Sequence, residues 1–255
     1  MKSGIRLFLI ILIVTFSASC RGRANEQPSD QAQTSESLPA TENASQSVIS
    51  ERAAASFAGL DPIRLQQGEG WRVFRIDAGL SKAAYIVDEE LFADATRKYG
   101  LDVGKTKVVG ETQDLVGLMQ LDLDQRSVGG NRFVVYLPTL QTDQDLRDGW
   151  IRENALESDR FPLAIFVAER LLEVPDSYTE GEDVSFQLEG ELELRGTTLS
   201  TVWDVSANQS GSTIQGSMQT RLRMTDLGFD PPDFANTLTV QDEFTVRIEF
   251  VANEE

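Results

Sequence analysis

The chain is 255 residues long, with 23 Lys and Arg against 41 Asp and Glu, a formal charge of −18, no histidine and one cysteine. So acidic a surface does not track nucleic acid, whose phosphates need Lys and Arg in excess. Without histidine there is no Ser-His or Cys-His catalysis, and a single cysteine makes no internal disulfide, zinc knuckle or iron–sulfur site.

Residues 1–19 have the pattern of a secretory signal: Lys2 and Arg6, then an uninterrupted apolar run from Leu7 to Phe16. That run is about half the ~20 residues a spanning helix needs. Ser17, Ala18 and Ser19 follow, and then Cys20. The arrangement resembles a bacterial lipobox, departing from it at Ser17, where Leu is usual. The alternative is an ordinary signal peptide cleaved near Ala18, leaving a free thiol. The expectation adopted is an exported lipoprotein, lipidated at Cys20 and anchored on the extracytoplasmic face of a bacterial membrane, in the cell envelope or periplasm. A diacyl-type anchor holds stably where one chain is marginal. Anionic headgroups repel the acidic domain, so the anchor must hold the membrane.

Residues 20–50 are expected to be a disordered tether. The stretch is rich in Ser, Gln, Glu, Ala, Thr and Pro and has no aromatic residue, too little apolar surface to offset its ordering entropy. Some thirty residues of such chain reach about 30 Å. Residues 51–70 form a lead-in, with a short helix as one reading.

Residues 71–252 are expected to fold as one domain in which the period is mostly two. Trp71–Ile76, Ala83–Val87, Lys105–Gly110, Leu115–Leu123, Arg132–Leu137, Leu163–Leu171 and Thr198–Ala207 are the weaker strand candidates. Phe186, Leu188, Leu192 and Leu194 alternate with Gln187, Glu189, Glu191, Glu193 and Arg195. Ile214, Met218, Leu222 and Met224 share one parity, as do Val240, Phe244, Val246, Ile248 and Phe250. Such alternation marks half-buried antiparallel strands. Turn chemistry at Gly129-Gly130, Pro175–Glu182 and Asn208–Gly211 separates several of them. Two stretches favour helix. Asp143–Ser158 places Leu146, Trp150, Ile151 and Leu156 near one face, with Asp143 as its cap, and Asp88–Lys98 runs from acidic to basic. The fold class is all-β, an antiparallel barrel or sandwich, with one or two short helices covering an end.

The order of segments resembles the YceI-like family. The residues that carry the likeness run from Ile76-Asp77 and Ser81 through Val108-Val109-Gly110 and Gly117–Asp122. They continue with Leu146-Arg147-Asp148, Ile151-Arg152, Phe161-Pro162 and Leu188–Leu199, and end in Arg223 with Asp226-Leu227-Gly228-Phe229. The resemblance covers Trp71 to Val251. It implies a lipocalin-like barrel of about eight strands in an exported protein that holds an isoprenoid or other long apolar lipid. The chain departs from many members in lacking histidine near Lys82–Glu90.

Strand parity turns Met119, Leu121, Phe133, Phe186, Trp203, Met218, Phe244 and Val246 inward. They are the expected ligand-lining residues, although parity alone equally describes a filled core. Arg147-Asp148 is either a headgroup clamp or, as preferred here, a pair docking the helix to the barrel. Asp88-Glu89-Glu90 and Asp122/Asp124 lack the spacing of a dedicated calcium loop and are expected to be solvated. No Gly-x-Ser-x-Gly motif accompanies the serines, and nothing selects one catalytic carboxylate pair.

The expected function is binding, sequestration or carriage of a long apolar lipid, with no catalytic residue, metal or cofactor beyond that lipid. The expected partners are the lipid and, through the anchor, a membrane, with no nucleic acid and no protein partner identified. The competing expectation is a filled-barrel interaction module of the cell envelope with no ligand.

Overall fold

The computed structural model describes residues 49–255. The expected signal segment, Cys20 and all but the end of the expected tether lie outside them.

The first described element is a short helix, α1 (Glu51–Ala58), capped by Ser50, whose hydroxyl accepts from the Ala53 amide. Six strands and two helices follow: β1 (Trp71–Ile76), β2 (Lys82–Leu91), α2 (Ala93–Tyr99), β3 (Gly104–Thr112), β4 (Leu115–Asp122), β5 (Ser127–Tyr136), α3 (Asp145–Trp150) and β6 (Leu163–Leu172). The chain closes with β7 (Asp183–Leu194), β8 (Thr197–Ser210), β9 (Thr213–Arg223), β10 (Asp233–Phe234) and β11 (Leu238–Glu254).

All pairings are antiparallel. Strands β1, β4, β5, β6, β7, β8, β9 and β11 neighbour one another in that order, and β11 returns to β1 through Phe74↔Glu254, Arg75↔Asn253 and Ile76↔Ala252. The result is a closed barrel of eight strands with β2, β3 and β10 added. Closure removes free edges from the eight barrel strands, while β3 remains the outer strand of the extension.

The added strands follow from the length of β11. Its C-terminal residues pair with β1, and its earlier residues pair with β2, from Glu249↔Lys82 to Leu238↔Leu91. At the corner between them Asp77 donates its amide to the Val251 carbonyl at 2.8 Å, and Val251 donates its own to the Ser81 hydroxyl at 3.0 Å. Ser81 thus bridges the gap in the ladder where the strand turns outward. Strand β3 pairs with β2 outside the eight-stranded closure, so β2 and β3 extend the wall at one end of the barrel into a flare. The end of α3, continued by a wider π turn over Ile151–Ala155, covers that flare.

The lead-in is part of the domain. Ser50 donates its amide and its hydroxyl to the two carboxylate oxygens of Asp114, each at 2.7 Å. The Gln66 amide donates to Gln120 Oε1 at 2.7 Å, and Gln120 Nε2 donates back to the Gln66 carbonyl at 2.9 Å. The end of the segment expected to be tether is therefore fixed to β4 and its approach.

Other details differ from expectation. Asp88–Glu90 belong to β2, and the helix there begins only at Ala93, because these residues pair with Lys105–Lys107 of β3. Asp143 does not cap α3. It ion-pairs with Arg147 at 2.5 Å, and Gln144 holds the cap position without a side-chain bond. Leu146 is 80% exposed at the rim rather than packed in the core. Glu89 and Asp122 are buried, not solvated.

Candidate functional site

The inward faces of the strands enclose two chambers. The larger, about 590 Å³, lies under α3 at the flared end. Its wall is almost wholly apolar: Val87, Leu192, Met224, Phe229, Phe244 and Val246 are typical. Trp150 and Phe234 meet edge to face at its mouth, with ring centroids 5.8 Å apart. Exposed Leu146, Tyr99 and Phe234 extend the apolar surface onto the rim.

A small polar group interrupts this wall. Glu89 of β2, at an inward position, is 4% exposed and accepts from Arg147 Nη2 at 3.1 Å. Arg147 Nη1 also bonds Asp143 at 2.5 Å and Thr142 Oγ1 at 3.3 Å. The Arg147 guanidinium holds the Asp143 carboxyl below its ordinary range. Asp148 turns the other way and accepts from the Thr142 amide and hydroxyl. The Arg147-Asp148 pair therefore docks α3 to β2 and to the preceding turn, and Arg147 is at the same time part of the chamber wall.

Tyr85 lies beside this group. Its ring rests on the backbone of Gly110, where a Cβ would stand 2.2 Å from Tyr85 Cε1, so Gly110 is what admits the ring. The Tyr85 hydroxyl is buried and has no hydrogen-bond partner among the described residues. Burial pushes its pKa up, and the nearby Asp148 carboxylate adds to the rise, so it stays a protonated donor at neutral pH.

The smaller chamber, about 370 Å³, lies at the opposite end. Met119, Leu121, Phe133, Phe186 and Met218 line it, while Phe244 and Val246 line the larger one. Trp203 lines neither: it is 1% exposed and sits between them. The residues expected to share one cavity are thus divided between two. Tyr85, Glu89 and Trp150 were missed as lining. Glu89 alone carried a signal, a carboxylate sharing the parity of Ala83, Tyr85, Val87 and Leu91.

A YceI-like domain model matches residues 76–252. Among solved structures, BcnA of Burkholderia cenocepacia aligns with a TM-score of 0.54 at 14% identity, covering 70% of this chain and 99% of its own. A polyisoprenoid binding domain from Saccharophagus degradans, implicated in plant cell wall breakdown, aligns with a TM-score of 0.51 at 13% identity, covering 75% and 100%. No curated protein matches by sequence. The family match over most of the chain, on a closed eight-stranded barrel, places this protein in the YceI-like domain family.

Proposed function

We propose that the barrel binds a long apolar lipid of isoprenoid-like character and shields it from water, without bond chemistry. The observation that carries this reading is the larger chamber, about 590 Å³ of largely apolar space in which the buried Glu89 is paired with Arg147. Each 100 Å² of apolar surface buried there contributes about 2.5 kcal/mol, so a few hundred Å² suffice for affinity with no catalytic group. The fold shared with a polyisoprenoid binding domain supports the ligand class. Because Glu89 and Asp143 already neutralise Arg147, a neutral polar head suits the site better than an anionic one. The absence of histidine and the single cysteine support a binding role. The same proposal places the protein outside the cytoplasm, held to a membrane face through Cys20.

Native mass spectrometry of the detergent-extracted full chain, followed by solvent extraction, tests the reading. A stoichiometric apolar mass released by solvent is expected. A bare polypeptide, unchanged after incubation with isoprenoid quinones and fatty acids, would overturn it in favour of an interaction module.

A further inference from the structure

No residue lines both chambers. On β6 the wall of the larger one ends at Ala164 and that of the smaller begins at Ala168, with Phe166 between. Strand β11 repeats the pattern, with Val246 on one side, Phe250 on the other and Ile248 between, and Thr220 and Leu222 of β9 separate Met218 from Met224 just past the strand. Strand β8 contributes Val205 and Ala207 to the smaller chamber, and its next inward residue, Trp203, lines neither chamber. Phe166 and Trp203 are 2% and 1% exposed, and their ring centroids are 5.1 Å apart. Phe133 backs Phe166 at 6.2 Å. The indole is also pinned, because Nε1 donates to Thr201 Oγ1 at 3.0 Å and turning the ring would break that bond. Gly190 lies inward on β7 at this level, where a Cβ would stand 2.1 Å from the Val167 carbonyl oxygen. The layer is therefore closed by aromatic rings rather than by a side chain from β7.

We propose that this layer is a length stop, with Trp203 and Phe166 as the residues that set it. The inference rests on the lipid-binding reading and adds that the ligand is bounded. At ~30 Å³ for each water-sized group, the larger chamber holds a chain on the order of twenty carbons. A longer isoprenoid meets the Trp203–Phe166 layer and leaves its remaining units in water at the mouth. Trp203→Ala removes the indole from the layer and joins the chambers of about 590 and 370 Å³ end to end.

The test is competition binding of farnesol, geranylgeraniol and solanesol to the full-length protein, all presented in one mild detergent. The native protein is expected to bind the first two and to bind solanesol at least about tenfold more weakly than the short-chain trend extrapolates. Trp203→Ala is expected to recover solanesol binding by about tenfold or more and to keep farnesol binding within a small factor. Phe166→Ala opens the same layer from β6 and serves if the first variant does not fold. Solanesol affinity in the native protein that follows the short-chain trend would overturn the length stop while leaving lipid binding intact. An unchanged length preference in a folded variant would do the same. Failure of all three alcohols to bind would sink the lipid reading itself, and the length stop with it.

Discussion

Arg147 of α3 reaches across the chamber mouth to Glu89 of β2, Nη2 to Oε2 at 3.1 Å, with side-chain exposures of 19% and 4%. The two residues are 58 positions apart, so this pair ties the covering helix to the flared strands. Burying a carboxylate is tolerable only while its partner remains. Arg147→Met is therefore expected to destabilise the domain by roughly 2–4 kcal/mol, somewhat less than a fully buried pair would lose. Adding Glu89→Gln should restore a large part of that loss. Urea unfolding of the single and double variants measures it, and equal stabilities for the two would refute the pairing.

Tyr85 has the opposite character, a buried hydroxyl with nothing to bond among the described residues. Tyr85→Phe removes that unsatisfied donor and is expected to stabilise the ligand-free domain by about 1 kcal/mol. The pH dependence has a definite sign. Because burial raises the folded-state pKa above the ordinary ~10, the folded chain keeps a proton that the unfolded chain releases. The stabilisation linked to that proton is present below about pH 10 and is lost as the pH climbs above it. The native protein should therefore lose more stability than Tyr85→Phe between pH 9 and 11, where curves from thermal melts that run parallel would contradict this.

Strands β7, β9 and β11 are legible in the sequence because each buries one face, and a period of two follows directly from the pleat. Phe186, Leu188, Leu192 and Leu194 needed no partner to be recognised. The lead-in was less legible, since Gln66 and Gln120 meet 54 positions apart and neither belongs to a local pattern. Glu89 read as solvated for the same reason: its partner stands on a distant helix. Trp203 illustrates the limit most directly. Parity turned it inward, but whether an inward residue faces a chamber or divides two depends on its level along the barrel axis. That level is set by register, here Trp203↔Leu188, and register is a pairwise property.

Two glycines should respond oppositely to an added methyl. At Gly190 a Cβ would stand 2.1 Å from the Val167 carbonyl oxygen and 2.7 Å from Ala168 Cα, both backbone atoms beside the irregular register of β6 and β7. Gly190→Ala is expected to cost about 1–3 kcal/mol, the scale of overpacking a closed site. At Gly149, inside α3, an added Cβ would meet no other part of the described residues within 4 Å. Gly149→Ala is expected to gain roughly 0.5–1 kcal/mol from helix propensity. Melting temperatures of the two variants decide the matter, and a shift of the same sign would show that the backbone at Gly190 can yield.

The proposed anchor depends on Cys20, the only cysteine in the chain. Cys20→Ala should move the protein from the detergent phase to the aqueous phase in phase partitioning. Its acidic domain gives no compensating attraction to anionic headgroups. Continued partitioning into detergent would show that another segment holds the membrane.

Hydrogen bonds from Ser50 and Gln66 tie residues 49–67 to the barrel. Deleting residues 21–48, a stretch too polar to bury much apolar surface, should leave the melting temperature unchanged. Extending the deletion through Gln67 also removes Ser50 from Asp114 and Gln66 from Gln120. Asp114 and Gln120 are both buried. Each would lose partners that water replaces only if the uncovered face of β4 rehydrates. A stranded buried polar group costs about 1–3 kcal/mol, so the longer deletion should lower stability clearly. Equal melting temperatures for the two deletions would show that residues 49–67 lie on the barrel without supporting it.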